Sequence, residues 1–150
     1  MYEIPEIPGA PKLDAYHLHE QDWEDHEDLT SSFEWDIPDE FNVARYTCDR
    51  WAKAHPDRTA LHIQNDPRGK GEYTFGELQA AANQLANYLK SEGVERGDRI
   101  GVNVAQKAEG VIGHLAAWKL GAVSVPLSTL FGPDGLRYRL KDSGATACLV

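Results

Sequence analysis

Between Tyr73 and Val150 the apolar pattern passes repeatedly from the spacing of a helix to the short β-branched runs of a strand, and no other feature narrows the possible folds as far. Thr74 and Glu77 fit a capping box at a helix start. Leu78, Ala81, Ala82, Leu85, Ala86 and Leu89 form the apolar stripe that follows, with Gly93 suited to the left-handed closing position. Arg99-Ile-Gly-Val-Asn-Val predicts a buried parallel strand, the segment from about Lys107 to Leu120 a second helix closed by Gly121, and Ala122-Val-Ser-Val-Pro-Leu another strand. A third helix is expected from about Pro133 to Lys141, because proline is tolerated in the first turn, and Thr146-Ala-Cys-Leu-Val is the last strand. Short joints between alternating strands and helices specify right-handed βαβ units, so the predicted architecture is α/β with a parallel sheet. The last strand belongs in the interior of such a sheet. The expectation is therefore that the chain is a fragment continuing past Val150, and that alone it is marginally stable and self-associates through an open edge.

Upstream, Asn42 can cap a helix whose apolar positions Val43, Ala44, Cys48, Trp51 and Ala52 recur at helical spacing, and His55-Pro56-Asp57 ends it. Thr59-Ala-Leu-His-Ile-Gln alternates as a half-buried strand and leads through a polar turn, Asn65 to Gly71, into Glu72-Tyr-Thr-Phe, which predicts a β-hairpin. Residues 1 to 40 read as an acidic irregular leader arm, separate from an incomplete domain over 41 to 150. The charge supports that division: residues 1 to 42 hold 13 of the 24 acidic groups and one basic group, Lys12, whereas the remainder carries 11 acidic and 14 basic groups. Such a leader argues against nucleic acid as a partner. Trp23, Phe33 and Trp35 would pin it onto a larger body.

No apolar run approaches the roughly 20 residues of a membrane span, and the start lacks a secretory signal, so a cytoplasmic location is expected. Cys48 and Cys148 are too isolated for a disulfide framework or a zinc site and read as reduced thiols. His17, His19 and His26 read as exposed histidines rather than metal ligands, because nothing around them supplies a rigid second layer. Phosphate signatures are missing as well. Gly69-Lys70 is the only Gly-Lys pair and Gln64 stands where a Walker glycine is required, so Lys70 reads as a turn lysine, and no Gly-x-Gly-x-x-Gly follows a strand. Trp51 and Trp118 lie on apolar helix stripes and are expected in the core rather than stacked on adenine. No catalytic acid, base or nucleophile is identified.

Four segments in register carry a resemblance: Tyr73-Thr-Phe-Gly-Glu-Leu, Gly93-Val-Glu-Arg-Gly-Asp-Arg-Ile-Gly-Val, Ala116-Ala-Trp-Lys-Leu-Gly-Ala-Val-Ser-Val-Pro-Leu and Leu136-Arg-Tyr-Arg-Leu-Lys-Asp-Ser-Gly-Ala. Over residues 41 to 150 the chain resembles the N-terminal part of the AMP-forming acyl-CoA synthetases. Phe41-Asn-Val-Ala and Pro126-Leu-Ser-Thr-Leu-Phe-Gly-Pro-Asp look most like the medium-chain acyl-CoA synthetases, with the acetyl-CoA synthetases close by. The resemblance implies a ligase of fatty acid metabolism that joins a carboxylic acid to CoA through an acyl-adenylate, using ATP and Mg2+ and releasing AMP and pyrophosphate. In that family the ATP and Mg2+ residues lie downstream of the segment seen here, so this chain alone is expected to be inactive. The loop after the second parallel strand lies beside the channel for the pantetheine arm of CoA in the resembled enzymes, which nominates Leu130, Phe131 and Gly132 as lining residues. Against this stands the plain reading that Leu130 and Phe131 pack under the helix starting at Pro133. Arg137 and Arg139 read as solvated helix residues. Two other readings stay open: a short non-catalytic protein or one half of a split enzyme, and a domain that adenylates an amino acid.

Overall fold

The computed structural model describes Pro5 and residues 22–33, 39–64 and 69–150. His17, His19, Trp35 and the centre of the hairpin turn lie outside the described residues. The chain divides into two compact units, one spanning Glu6–Phe41 and one whose body is Asn42–Val150. Among the described residues no helix is long and apolar enough to cross a membrane.

In the first unit, the expectation of an irregular leader fails over α1, His26–Ser32. Asp25 accepts a hydrogen bond from the Asp28 amide at 2.9 Å, and Glu27 and Asp28 place negative charge in the first turn, where the helix dipole favours it. Density of acid, which reads as disorder in composition, here supplies a helix start. Trp23 and Phe33 are half-buried.

The second unit opens at Asn42, which caps as expected: its Oδ1 accepts from the Arg45 amide at 3.1 Å. The same side chain donates from Nδ2 to the Trp118 carbonyl at 2.8 Å, a tie the sequence does not announce. The helix it starts is not uniform. Arg45–Asp49 forms a π-helical turn before α2, Arg50–Ala54, and the extra residue in that turn places Cys48 in the core. β1, Thr59–His62, pairs antiparallel with β2, Glu72–Thr74, confirming the hairpin with an irregularity between Thr59 and Leu61. Ile63 keeps one hydrogen bond beyond the strand, from its amide to the Gly71 carbonyl.

The capping box is present at the start of α3, Phe75–Ser91: the Glu77 amide donates to Thr74 Oγ1, and the Thr74 amide donates to the Glu77 carboxylate. Lys70, which lies outside any helix or strand, pairs with Glu77 and holds the exposed Glu77 carboxyl below the usual range. Then come β3, Arg99–Val102, α4, Ala108–Lys119, β4, Val123–Pro126, α5, Pro133–Ser143, and β5, Ala147–Leu149. The three strands form a parallel sheet in the order β4-β3-β5. α5 runs two residues past its expected end because Gly144 takes the left-handed conformation at φ 61° and closes it.

β3 is the centre of the unit. Ile100, fully buried, packs with Ala86, Leu89, Ala116 and Ala117 of α3 and α4. Gly113 lets α4 approach closely: a Cβ there would lie 2.9 Å from Leu149 Cδ1. On the opposite face Gly101 receives α5, since a Cβ would lie 2.7 Å from Leu140 Cδ2. Arg99, the first residue of β3, binds α5 to the sheet by donating to the Ser143 carbonyl at 3.0 Å and the Gly144 carbonyl at 2.8 Å. A second core of Ala44, Cys48, Tyr73, Leu78, Ala82, Ala108 and Leu115 joins the hairpin to α3 and α4.

Candidate functional site

In an open parallel sheet, ligands bind beyond the carboxyl ends of the strands, where loops converge and helix starts point outward. Here that edge is formed by Asn103 after β3 and by the loop after β4. The amide of Leu127 donates to the Val102 carbonyl at 2.9 Å, extending the ladder by one residue, and Leu127 is buried. Beyond it the chain turns on itself: the Phe131 amide donates to the Ser128 carbonyl at 3.1 Å and the Leu130 amide to Ser128 Oγ at 3.2 Å.

The three nominated residues behave differently. Leu130 is 91% exposed, so it does not pack under α5. Phe131 is half-buried, with the Arg139 guanidinium 3.8 Å above its ring and Arg139 Nη1 donating to the Gly135 carbonyl. Gly132 has ordinary extended angles, φ −66° and ψ 169°, and a Cβ there would meet nothing within 4 Å. Neither backbone strain nor internal packing therefore requires glycine at 132. An open apolar ledge results, backed by a cation that is already engaged with Phe131. Arg137 forms an exposed pair with Asp134.

Asn103 is not legible from sequence as a member of this edge. Its amide donates to the Leu149 carbonyl at 2.9 Å, which joins the strand ends, and its Oδ1 is buried without a hydrogen-bond partner among the described residues.

Elsewhere the polar groups are tied to structure. Lys119 pairs with Asp49, which also accepts from Gln79 Nε2 at 3.0 Å, so the π-helical turn, α3 and α4 meet at one carboxylate. His114 Nδ1 is hydrogen-bonded with Ser124 Oγ, and its ring stacks on Trp118; burial pushes the imidazole below its ordinary pKa. Trp118 packs on the core and Trp51 stacks on Phe75 at 5.8 Å, flanked by the guanidinium of Arg58. The Cys48 thiol is pushed up to about 11, first by burial and then by the Asp49 charge. It is far from a thiolate at neutral pH.

Adenylation of a carboxylate demands cations and amide donors on the polyphosphate and carboxylates for Mg2+. The described residues do not meet that demand: no three His, Cys, Asp or Glu side chains gather to hold a metal ion, and no glycine-rich phosphate loop is present. The ledge of Leu130 and Phe131 offers apolar surface rather than phosphate ligands.

The profile of the AMP-binding enzyme family matches residues 48–150. An acetyl-coenzyme A synthetase of Coprinopsis cinerea is 37% identical over 101 residues, covering 66% of this chain and 15% of the relative. A linear gramicidin synthase of Brevibacillus parabrevis is 40% identical over 77 residues, covering 51% of this chain and 2% of the relative. Among solved structures, the anthranilate CoA ligase AuaEII in complex with anthranoyl-AMP superimposes with a TM-score of 0.67 at 32% identity, over 75% of this chain and 21% of that one. The chain thus spans a small part of the length of each protein it matches.

Proposed function

Since the chain belongs to the AMP-binding enzyme family over residues 48–150, we propose that it forms the N-terminal portion of an AMP-forming carboxylate–CoA ligase. The observation that carries this is the acetyl-coenzyme A synthetase likeness, at 37% identity over 101 residues, beside a family match over residues 48–150 that takes in the whole parallel sheet. The parent protein would join a carboxylic acid to CoA, with ATP supplying the activation as an acyl-adenylate and Mg2+ neutralising its phosphates. ATP and Mg2+ would be held by residues outside this chain, and the 150 residues alone would be inactive.

In the same reading Leu130, Phe131 and Gly132 flank the pantetheine arm. Three features support it: Leu130 is exposed and free to meet an apolar group, the Arg139 guanidinium lies over the Phe131 ring, and Gly132 leaves room at the backbone. A cytoplasmic location belongs to the proposal. The gramicidin synthase likeness favours a second reading, a domain that adenylates an amino acid and needs no CoA.

One experiment separates them. The protein is captured from its own source with an antibody to the acidic leader, its intact mass is measured, carboxylate-dependent exchange of pyrophosphate into ATP is followed, and AMP release is measured with and without CoA. A mass several-fold above 16.7 kDa with CoA-dependent AMP release is the expected result. Amino-acid-dependent exchange with no CoA-dependent AMP release would replace the first reading by the second. A mass of 16.7 kDa and no exchange would overturn both in favour of a stand-alone non-catalytic protein.

A further inference from the structure

At the amino-terminal edge of the parallel sheet, opposite the loop just described, the π-helical turn and the C-terminal ends of α3 and α4 enclose a trough. It consists of two adjoining hollows of about 450 and 460 Å³ that share Lys90, Lys119 and Leu120 as a common wall. We propose that this trough is an oxyanion site, which takes a small polyanion bearing phosphate or carboxylate groups. The idea is independent of the ligase reading, because β3, four residues long, separates the two edges by roughly 13 Å.

The charges make the case. Arg45, Lys90, Lys119 and Arg96 line the trough against only two carboxylates, Asp49 and Glu95. Asp49 is already bound to Lys119 and Gln79. Lys90 and Lys119 stand in the last turns of α3 and α4, where they offset the negative helix ends. Arg45 lines one hollow and Arg96 the other, beside Glu95, and neither guanidinium forms an ion pair among the described residues. Like charges kept together in a concavity without counter-ions raise the local potential and attract an anion.

The donors are also ordered. Asn83, Asn87 and Lys90 lie at helical spacing on one stripe of α3, so two amides and an ammonium form a row along the wall. Arg96 is steered by Gly121: a Cβ at 121 would lie 3.1 Å from Arg96 Cγ, so the arginine stem rests on that backbone. Guanidiniums bind oxyanions through paired N–H groups, with more directional specificity than an ammonium offers. The volume suits a metabolite rather than a peptide or a nucleic acid.

The test is titration of the 150-residue chain with inorganic pyrophosphate and, separately, with citrate at constant ionic strength, followed by amide NMR shifts. Saturating shifts centred on Asn83, Asn87, Lys90 and Arg96 with either probe are expected, and the probe that saturates first identifies phosphate or carboxylate as the preferred group. The double variant R45Q/R96Q should weaken binding by roughly tenfold or more, because it removes both bidentate donors. Both arginines are exposed, so its dispersed spectrum should persist. The control K53Q/K141Q should bind as the parent does. Shifts that never saturate, that spread over the surface, or that survive R45Q/R96Q would overturn the proposal.

Discussion

The two faces of the parallel sheet are held in different ways. Against α3 and α4, Ile100 is fully enclosed among Ala86, Leu89, Ala116 and Ala117, whereas α5 on the other face contains no buried residue. The first face is a packed interior in which alanines and Gly113 bring backbones close. The second is secured by a narrow contact at Gly101 and by the hydrogen bonds of one arginine, and it leaves Tyr138 and Leu130 in solvent. One sheet therefore combines a face whose stability comes from area removed from water with a face whose stability comes from a few directional contacts.

The contrast is open to direct attack. Ile100→Ala removes the largest fully buried side chain and should cost about 3–4 kcal/mol in urea unfolding, with loss of the α3 and α4 amide protection. A cost below about 1 kcal/mol would mean that the first face is not the stabilising one. Overpacking each face comes next. Gly113→Val drives new methyls into Leu149 and the stiff Val102, and Gly101→Val drives them into Leu140, Leu127 and Cys148, so each should cost about 2–3 kcal/mol. The first should lower amide protection in α4 and the second in α5; the same pattern of loss from both would erase the distinction between the faces.

Arg99→Gln should cost about 1–2 kcal/mol and selectively speed hydrogen exchange in α5 while leaving α3 protected. The pH dependence is subtler. His114 is held below its ordinary pKa by burial, so its contribution is fully present above the unfolded value of about 6.5 and is lost as pH falls through the lower folded value. Melting temperature should therefore drop as pH falls below neutral through the lowered folded value, and His114→Gln should flatten that drop. Smallest of all, alkylation at mildly alkaline pH should reach half-buried Cys148 on the α5 face before enclosed Cys48; both thiols are raised by burial.

Much of this architecture is legible in the sequence because it is local. The capping box at Thr74 and Glu77, the glycine at the end of α4 and the proline at the start of α5 each act within one helical turn, and the period of the apolar residues does the rest. What stays hidden depends on partners far along the chain. Asn42 reaches the Trp118 carbonyl, Asp49 binds Lys119, and Arg99 finds Ser143, with no spacing rule to connect them. The π-helical turn is hidden for a different reason, since a single extra residue leaves the apolar stripe nearly unchanged while moving Cys48 inward. In the leader, composition presents the acids of α1 as mere charge, because their order around Asp25 matters more than their number. At the candidate edge, the positions of Leu130, Phe131 and Gly132 on a loop are foreseeable, but the exposure of Leu130 and the buried oxygen of Asn103 depend on the tertiary arrangement.

The Arg99 clamp has a further meaning for the order in which the chain assembles. It joins residues 44 and 45 positions apart, so it closes only after β4 and α5 have been laid down and a long loop has already lost its entropy. β3 and β4, linked through the neighbouring α4, can meet much earlier. α5 and β5 would then be the last pieces to join and the first to open, a cooperative unit of low local stability attached to a slower-opening core.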